Sequence, residues 1–216
     1  MKKLSKLFII SLFFMNIAVA EEIQVFEFTE DEFKTLEVRK VRGADSNTEY
    51  ILGSNENGNY LKAVANNSAS GLGKKIKIDL NRTPYLNITW KVEKDLKGIN
   101  ERSKKGHDYA ARVFVVKKTG ATPLSNRAMN YVFSSNEDVD ISHPSPYTKK
   151  SIDYVLATTK DSLNEWVKVK VNVKEHFKQF HDLDLDEING VAIMADTDNS
   201  KLSSISYYQN IYFSAE

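Results

Sequence analysis

The chain has 216 residues, 41% of them hydrophobic and 27% charged, with 9 glycines, 4 prolines and no cysteine. That profile excludes a disordered chain, a collagen, a coiled coil and a disulfide scaffold. Lys and Arg number 30 against 29 Asp and Glu, and Lys2, Lys3 and Lys6 fall in the first twenty residues, so the remainder is close to neutral and offers no electrostatic case for nucleic acid or an anionic membrane.

Residues 1–20 pair that basic start with an apolar run from Leu7 to Phe14, then Ala18-Val19-Ala20 followed by two glutamates. This is the pattern of a cleaved secretory signal peptide, with cleavage expected after Ala20. Its apolar core is too short to span a bilayer, and no later stretch is long enough, so no integral membrane contact is expected. An exported protein, periplasmic or secreted, follows. Without cysteines it has to be held by core burial, and residues 21–216 are long enough to do that as one domain.

The mature chain reads as about ten strands. Ile23–Phe28 is the first, Asn57-Gly58 marks a turn, and Tyr60–Ala65 follows. Lys75–Leu80 and Leu86–Val92 alternate apolar and polar residues, with Trp90 on the apolar side. Tyr109–Val116 is apolar on both faces apart from Arg112, as in a central strand. Met129–Ser134, Tyr154–Thr158, Trp166–Val173 and Gly190–Ala195 continue the series. Ile205–Phe213 is expected to place Ile205, Tyr207, Ile211 and Phe213 on one side. Helix is expected over Glu30–Lys40 and Lys174–Gln179 only. Lys94–His107 and Ser134–Lys150 read as long loops, which often carry function. The expected fold class is all-β, a β-sandwich or barrel.

Three segments carry a family likeness: Asn67-Ser68-Ala69-Ser70-Gly71-Leu72, His107 to Val116, and Gly190 to Ser200, with Asn130-Tyr131 between the second and third. In that order they resemble the bacterial exported family called domain of unknown function 3047, over about Tyr50 to Phe213. The family's second motif usually opens with two acids, and here His107 stands in place of the first. The ending Asn210-Ile211-Tyr212-Phe213 is similar to galactose-binding-like jelly rolls. The resemblance implies a jelly-roll-like sandwich with a sugar or calcium site.

The densest polar cluster is Asp196-Thr197-Asp198-Asn199-Ser200, where a strand leaves the core. Oxygens at the alternate positions Asp196, Asp198 and Ser200 suit Ca²⁺, with Asp196 and Asp198 the leading pair, while a solvated turn is the competing reading. Arg112 shares a face with Ala110 and Phe114, so it needs an acid such as Asp196 or an anionic ligand. Asp108 lies four residues earlier, too far along an extended strand to pair with it. Asn130 is either a satisfied sheet amide or a sugar-hydroxyl ligand; Tyr131 faces the other way. Trp166 lies on the lysine face of its strand, where it would stack on a sugar or be covered by a loop.

Ser68 and Ser70 lie in a Ser-Ala-Ser-Gly stretch that lacks a nucleophile elbow and reads as a tight turn. His176 and His181 are five apart, wrong for a zinc pair on one helix face. These residues point first to a non-catalytic domain binding envelope or environmental glycans, through Asp108, Arg112, Asn130, Tyr131, Asp196, Asp198, Asn199 and Trp166. Two other readings stay open. One is a carbohydrate-active enzyme using Asp108 and Asp196 as paired carboxylates. The other is a structural or assembly protein of the envelope, which would show an exposed apolar patch.

Overall fold

The computed structural model describes residues 21–216; the expected signal peptide lies outside the described residues. In chain order the strands are β1 (Glu22–Phe26), β2 (Glu37–Lys40), β3 (Glu49–Asn55), β4 (Gly58–Asn66), β5 (Ala69–Lys74), β6 (Ile78–Asp79), β7 (Tyr85–Lys94), β8 (Ala111–Lys117), β9 (Arg127–Ser134), β10 (Ser142–Ser145), β11 (Thr148–Thr158), β12 (Val167–Asn172), β13 (Glu187–Ile188), β14 (Gly190–Asp196) and β15 (Ser203–Ser214). A six-stranded sheet has the order β12-β7-β15-β4-β3, with β1 also paired to β15. A seven-stranded sheet has the order β10-β11-β9-β8-β14-β5-β2, and β6 and β13 form a separate short ladder. All pairings are antiparallel except β9 with β11.

Alternation puts the core between the two large sheets. Leu86, Ile88, Trp90 and Val92 of β7 face Val113 and Val115 of β8 and Met129, Tyr131 and Phe133 of β9, all buried in one cluster. Trp90 and Phe133 meet across the interface with ring centres 5.4 Å apart. Of the two all-β forms the alternation allows, the fold is the sandwich, as the jelly-roll resemblance implies.

Several details differ from the sequence reading, beginning with fifteen strands among the described residues where about ten are expected and with β10 inside the expected loop Ser134–Lys150. The helix expected over Glu30–Lys40 stops early: α1 is Glu30–Thr35, capped by Thr29, and Glu37–Lys40 pairs with β5 as a strand. The second helix, α2, is a single turn at Thr159–Ser162. The third, α3, covers Val173–His181 and includes the expected segment. Ser68–Leu72, which reads as a tight turn, leads into β5, because Gly71 and Gly73 lie between β2 and β14 where the sheet has little room. In β15 the register shifts between Gln209 and Tyr212, and Asn210 takes a φ of 47°. That bulge inserts an extra residue, so Tyr208, Ile211 and Phe213 face the core, while Tyr207 pairs outside it with Lys62 and Lys91.

Candidate functional site

Strands β8 and β14 run side by side until Arg112 pairs with Met194, and then they separate. The Tyr208 hydroxyl, from the other sheet, enters the gap. It accepts the Arg112 backbone N–H at 3.0 Å and donates to the Met194 carbonyl at 2.6 Å. Beyond this point the Asp196 carboxylate takes Arg112 Nε at 3.0 Å, Arg112 Nη2, and the Tyr109 backbone N–H at 3.1 Å. Arg112 and Asp196 are each only 2% exposed, so the charges are compensated where water cannot help.

Asp108 is fully buried and closes the same corner from the other side. Its oxygens accept the Asn199 backbone N–H at 3.2 Å, Asn199 Nδ2 at 2.8 Å and the Ser200 N–H at 2.6 Å. The polar segment after β14 is thus pinned to the start of β8.

A second buried cluster adjoins it. Asp153 of β11 binds His107 Nε2 at 2.7 Å and Asn130 Nδ2 at 2.5 Å. Burial pushes the His107 imidazole below its ordinary value, with Arg112 adding to the effect and Asp153 opposing it. The Tyr147 ring packs edge-on against His107, and its hydroxyl donates to Asn199 Oδ1 at 2.6 Å. The loop before His107 is anchored by Glu101, which is 2% exposed and accepts from Ser134 Oγ at 2.5 Å, the Ser135 N–H at 2.9 Å and Asn136 Nδ2 at 2.9 Å. Burial still holds the Glu101 carboxyl above its usual range.

These groups border a groove of about 620 Å³ on the outer face of the seven-stranded sheet. Its walls include His107, Arg112, Asn130, Tyr147, Asp198 and Asn199. A second recess of about 430 Å³ on the same face shares Phe114 and Met194 with the first, so the two are arms of one depression. Asn130 Oδ1 and Asp198 Oδ1 are buried without a hydrogen-bond partner. Unpaired oxygens of this kind are uncommon in a folded interior and suit a ligand that brings hydroxyl donors. Burial, with Asp108 beside it, raises the Asp198 carboxyl above its ordinary value.

Of the residues expected to form the site, Asp108, Arg112, Asn130, Asp196, Asp198 and Asn199 come together here. Tyr131 does not: it is buried in the core, opposite Asn130 on β9. Trp166 is not in the groove either. It sits on the outer face of the six-stranded sheet, against Tyr60 and Tyr207 at ring distances of 6.3 and 6.0 Å. The sequence reading missed His107 and Tyr147 as walls, Asp153 as the buried partner, and Phe114 as the aromatic of the groove. Phe114 had a signal: it lies two residues from Arg112, on the same strand face.

Asp108, Asp196 and Asp198 each offer an oxygen within 4.8 Å of the others. Arg112 already neutralises Asp196, and Asp108 already accepts three N–H groups. Asp198 Oδ1 and Ser200 Oγ are the oxygens of this segment left without a partner, fewer than the six to eight oxygens that Ca²⁺ takes. The Arg112 guanidinium already supplies positive charge beside Asp196.

Two solved structures share the fold. A family 30 carbohydrate-binding module of the cellulosomal cellulase Cel9D-Cel44B of Clostridium thermocellum aligns over 91% of this chain and 98% of its own, with a TM-score of 0.52 and 9% identity. Another structure of a family 30 carbohydrate-binding module aligns over 91% of this chain and 88% of its own, with a TM-score of 0.51 and 9% identity. At that identity the likeness speaks to the fold, a jelly-roll β-sandwich. No curated protein matches the chain. The family model described as protein of unknown function (DUF3047) matches residues 34–212, which takes in β2 to β14, both buried clusters and most of β15, and the chain belongs to that family.

Proposed function

We propose that this chain is a non-catalytic glycan-binding domain whose ligand lies in the groove across the outer face of the seven-stranded sheet. The observation that carries the reading is the pair of buried, unpartnered oxygens on Asn130 and Asp198 in the walls of that groove. Sugar hydroxyls are donors of the right kind, and the Phe114 ring offers an apolar face for a pyranose. The fold shared with carbohydrate-binding modules supports the same reading. The pattern of residues 1–20 adds export to the periplasm or beyond.

Hydrolysis asks for two carboxylates free to meet the substrate. Asp108 is buried under three N–H donors and Asp196 is held by Arg112, so the paired acids of the enzymatic reading serve the framework. An assembly role asks for an exposed apolar patch. The exposed large apolar residues among those described, such as Val38, Ile51, Leu124 and Leu163, belong to separate segments of the chain.

The test is retention on a panel of immobilised glycans, comparing the purified protein with Asp198→Ala. Retention by the parent, lost in the variant at an unchanged melting temperature, supports the reading. Release of reducing ends during the incubation favours the enzyme, and no retention on any glycan overturns the proposal.

A further inference from the structure

The second arm of the groove differs in charge from the first. Its wall holds Arg39, Lys74, Lys75 and Lys118, and no carboxylate among the described residues. The nearest acids do not balance these cations. Glu37 is shared between Arg39 Nη2 at 2.7 Å and Lys75 Nζ at 2.6 Å, while Lys74 is taken by Glu32 at 2.8 Å. One of the two cations on Glu37, together with Lys118, is left over as net positive charge at the rim. The chain as a whole is nearly neutral, so this excess is local.

The floor is shaped to admit a ligand. Gly71 and Gly73 of β5 lie beside Met194 and Ala192 of β14, so β5 sends no side chain into the middle of the arm. The Arg39 side chain lies over this floor: a Cβ on Gly73 would come within 2.9 Å of its Nε. Arg39 therefore reaches across the sheet from β2 toward the groove. Phe114 and Val116 line the side of the arm nearest Arg112. A ligand here would meet an apolar wall, a glycine-lined floor beside Met194 and Ala192, and guanidinium and ammonium groups at the edge.

We propose that this arm selects acidic glycans, chains whose sugars carry carboxylates, with the carboxylate held by Arg39 and Lys118. The inference rests on the glycan-binding reading above and adds the chemical class of the ligand. A guanidinium can grip a carboxylate with two parallel hydrogen bonds, and Lys118 adds a point charge. The apolar wall takes the ring face of the sugar.

The experiment measures binding of the purified protein to polygalacturonate, to fully methyl-esterified pectin, to neutral xyloglucan, to heparin and to double-stranded DNA, at low and high salt. The same series is run on the double variant Arg39→Gln/Lys118→Gln. Both side chains are exposed, so the variant should keep the parent's melting temperature. The expected result is that polygalacturonate binds about tenfold more tightly than its methyl ester, a preference of about 1.4 kcal/mol. The preference should shrink at high salt and vanish in the variant. Equal binding of charged and uncharged glycans, unchanged in the variant, overturns this inference and leaves the glycan-binding reading standing. Preference for DNA over both polygalacturonate and heparin marks a general polyanion site and also overturns it. Failure to bind any glycan overturns both.

Discussion

The Tyr208 hydroxyl, carried by one sheet of the sandwich, completes the hydrogen bonding of Arg112 in the other, accepting its backbone N–H at 3.0 Å. Similar links join the sheets nearby. Ser206 Oγ donates to the Ala110 carbonyl at 2.6 Å, Thr48 Oγ1 to that of Ala195 at 2.7 Å, and Tyr50 to that of Ser70 at 2.5 Å. The backbone beneath the groove is thus tied at several points to the sheet behind it. Burial raises the Tyr208 and Tyr50 phenols far from ionisation, so these links persist at any ordinary pH.

Removing the Tyr208 hydroxyl leaves the Arg112 N–H and the Met194 carbonyl buried and unpaired. Tyr208→Phe should therefore cost about 1–3 kcal/mol in urea unfolding, despite the conservative shape. A variant as stable as the parent would show that water or a local shift replaces the hydroxyl.

Arg112 and Asp196 form a buried pair, and breaking it strands a charge. Arg112→Ala should cost about 3–5 kcal/mol, and Arg112→Lys should not restore the parent because a single ammonium cannot replace the guanidinium fork. Thermal unfolding of the two variants checks this; full recovery with lysine would mean that charge alone suffices.

The same pair bears on metal. Because Arg112 supplies the positive charge beside Asp196, neither a chelator nor added Ca²⁺ should move the melting temperature by more than about 1 °C. A clear rise with Ca²⁺ would show that Asp196 and Asp198 serve a cation after all.

His107, His176 and His181 are all held below the ordinary imidazole value, in each case chiefly by burial. The unfolded chain then binds protons that the folded chain refuses. Their contribution to stability is complete above the unfolded value of about 6.5 and is lost as pH falls from there toward the lowered folded values. Denaturant melts between pH 7.5 and 5.5 should show stability falling with pH, and His107→Gln should flatten part of that slope. Around His107 the charges that matter are Asp153, which opposes the shift, and Arg112 and His143, which favour it. A flat profile would contradict the burial argument.

Much of this architecture was readable from alternation along the chain, because strands such as β7 and β12 have one buried face and one wet one. What escaped was set by non-local contact. Glycine and serine dominate β5, so its pattern looks like a turn until β2 and β14 close on it. In β15 the bulge at Asn210 switches the face of every later residue, and nothing in the alternation marks it. For the site, an apolar strand carrying Arg112 implied a carboxylate partner, and Asp196 is that partner. Asp153 could not be found the same way, since it reaches His107 and Asn130 only through the parallel pairing of β11 with β9. Tyr131 and Trp166 have side chains suited to sugar binding, but the sheet faces send them elsewhere.

Gly71 is the tightest point of the groove floor: a Cβ there would fall 2.9 Å from the Ile193 carbonyl oxygen, which is backbone and cannot swing aside. Gly71→Ala should cost about 1–3 kcal/mol by forcing β5 and β14 apart. Gly73→Ala meets only the flexible Arg39 side chain and should be milder. Paired thermal melts distinguish the two, and equal losses would contradict the assignment.

The central claim is that glycan binds across the seven-stranded sheet and not the other. The direct measurement is glycan affinity of Phe114→Ala beside Trp166→Ala, one aromatic from each outer face, with melting temperatures as the control for folding. Loss of binding of about tenfold or more in Phe114→Ala, with Trp166→Ala unchanged, is the predicted result. Loss in Trp166→Ala with Phe114→Ala intact would move the ligand to the cluster of Trp166, Tyr60 and Tyr207 and contradict the account.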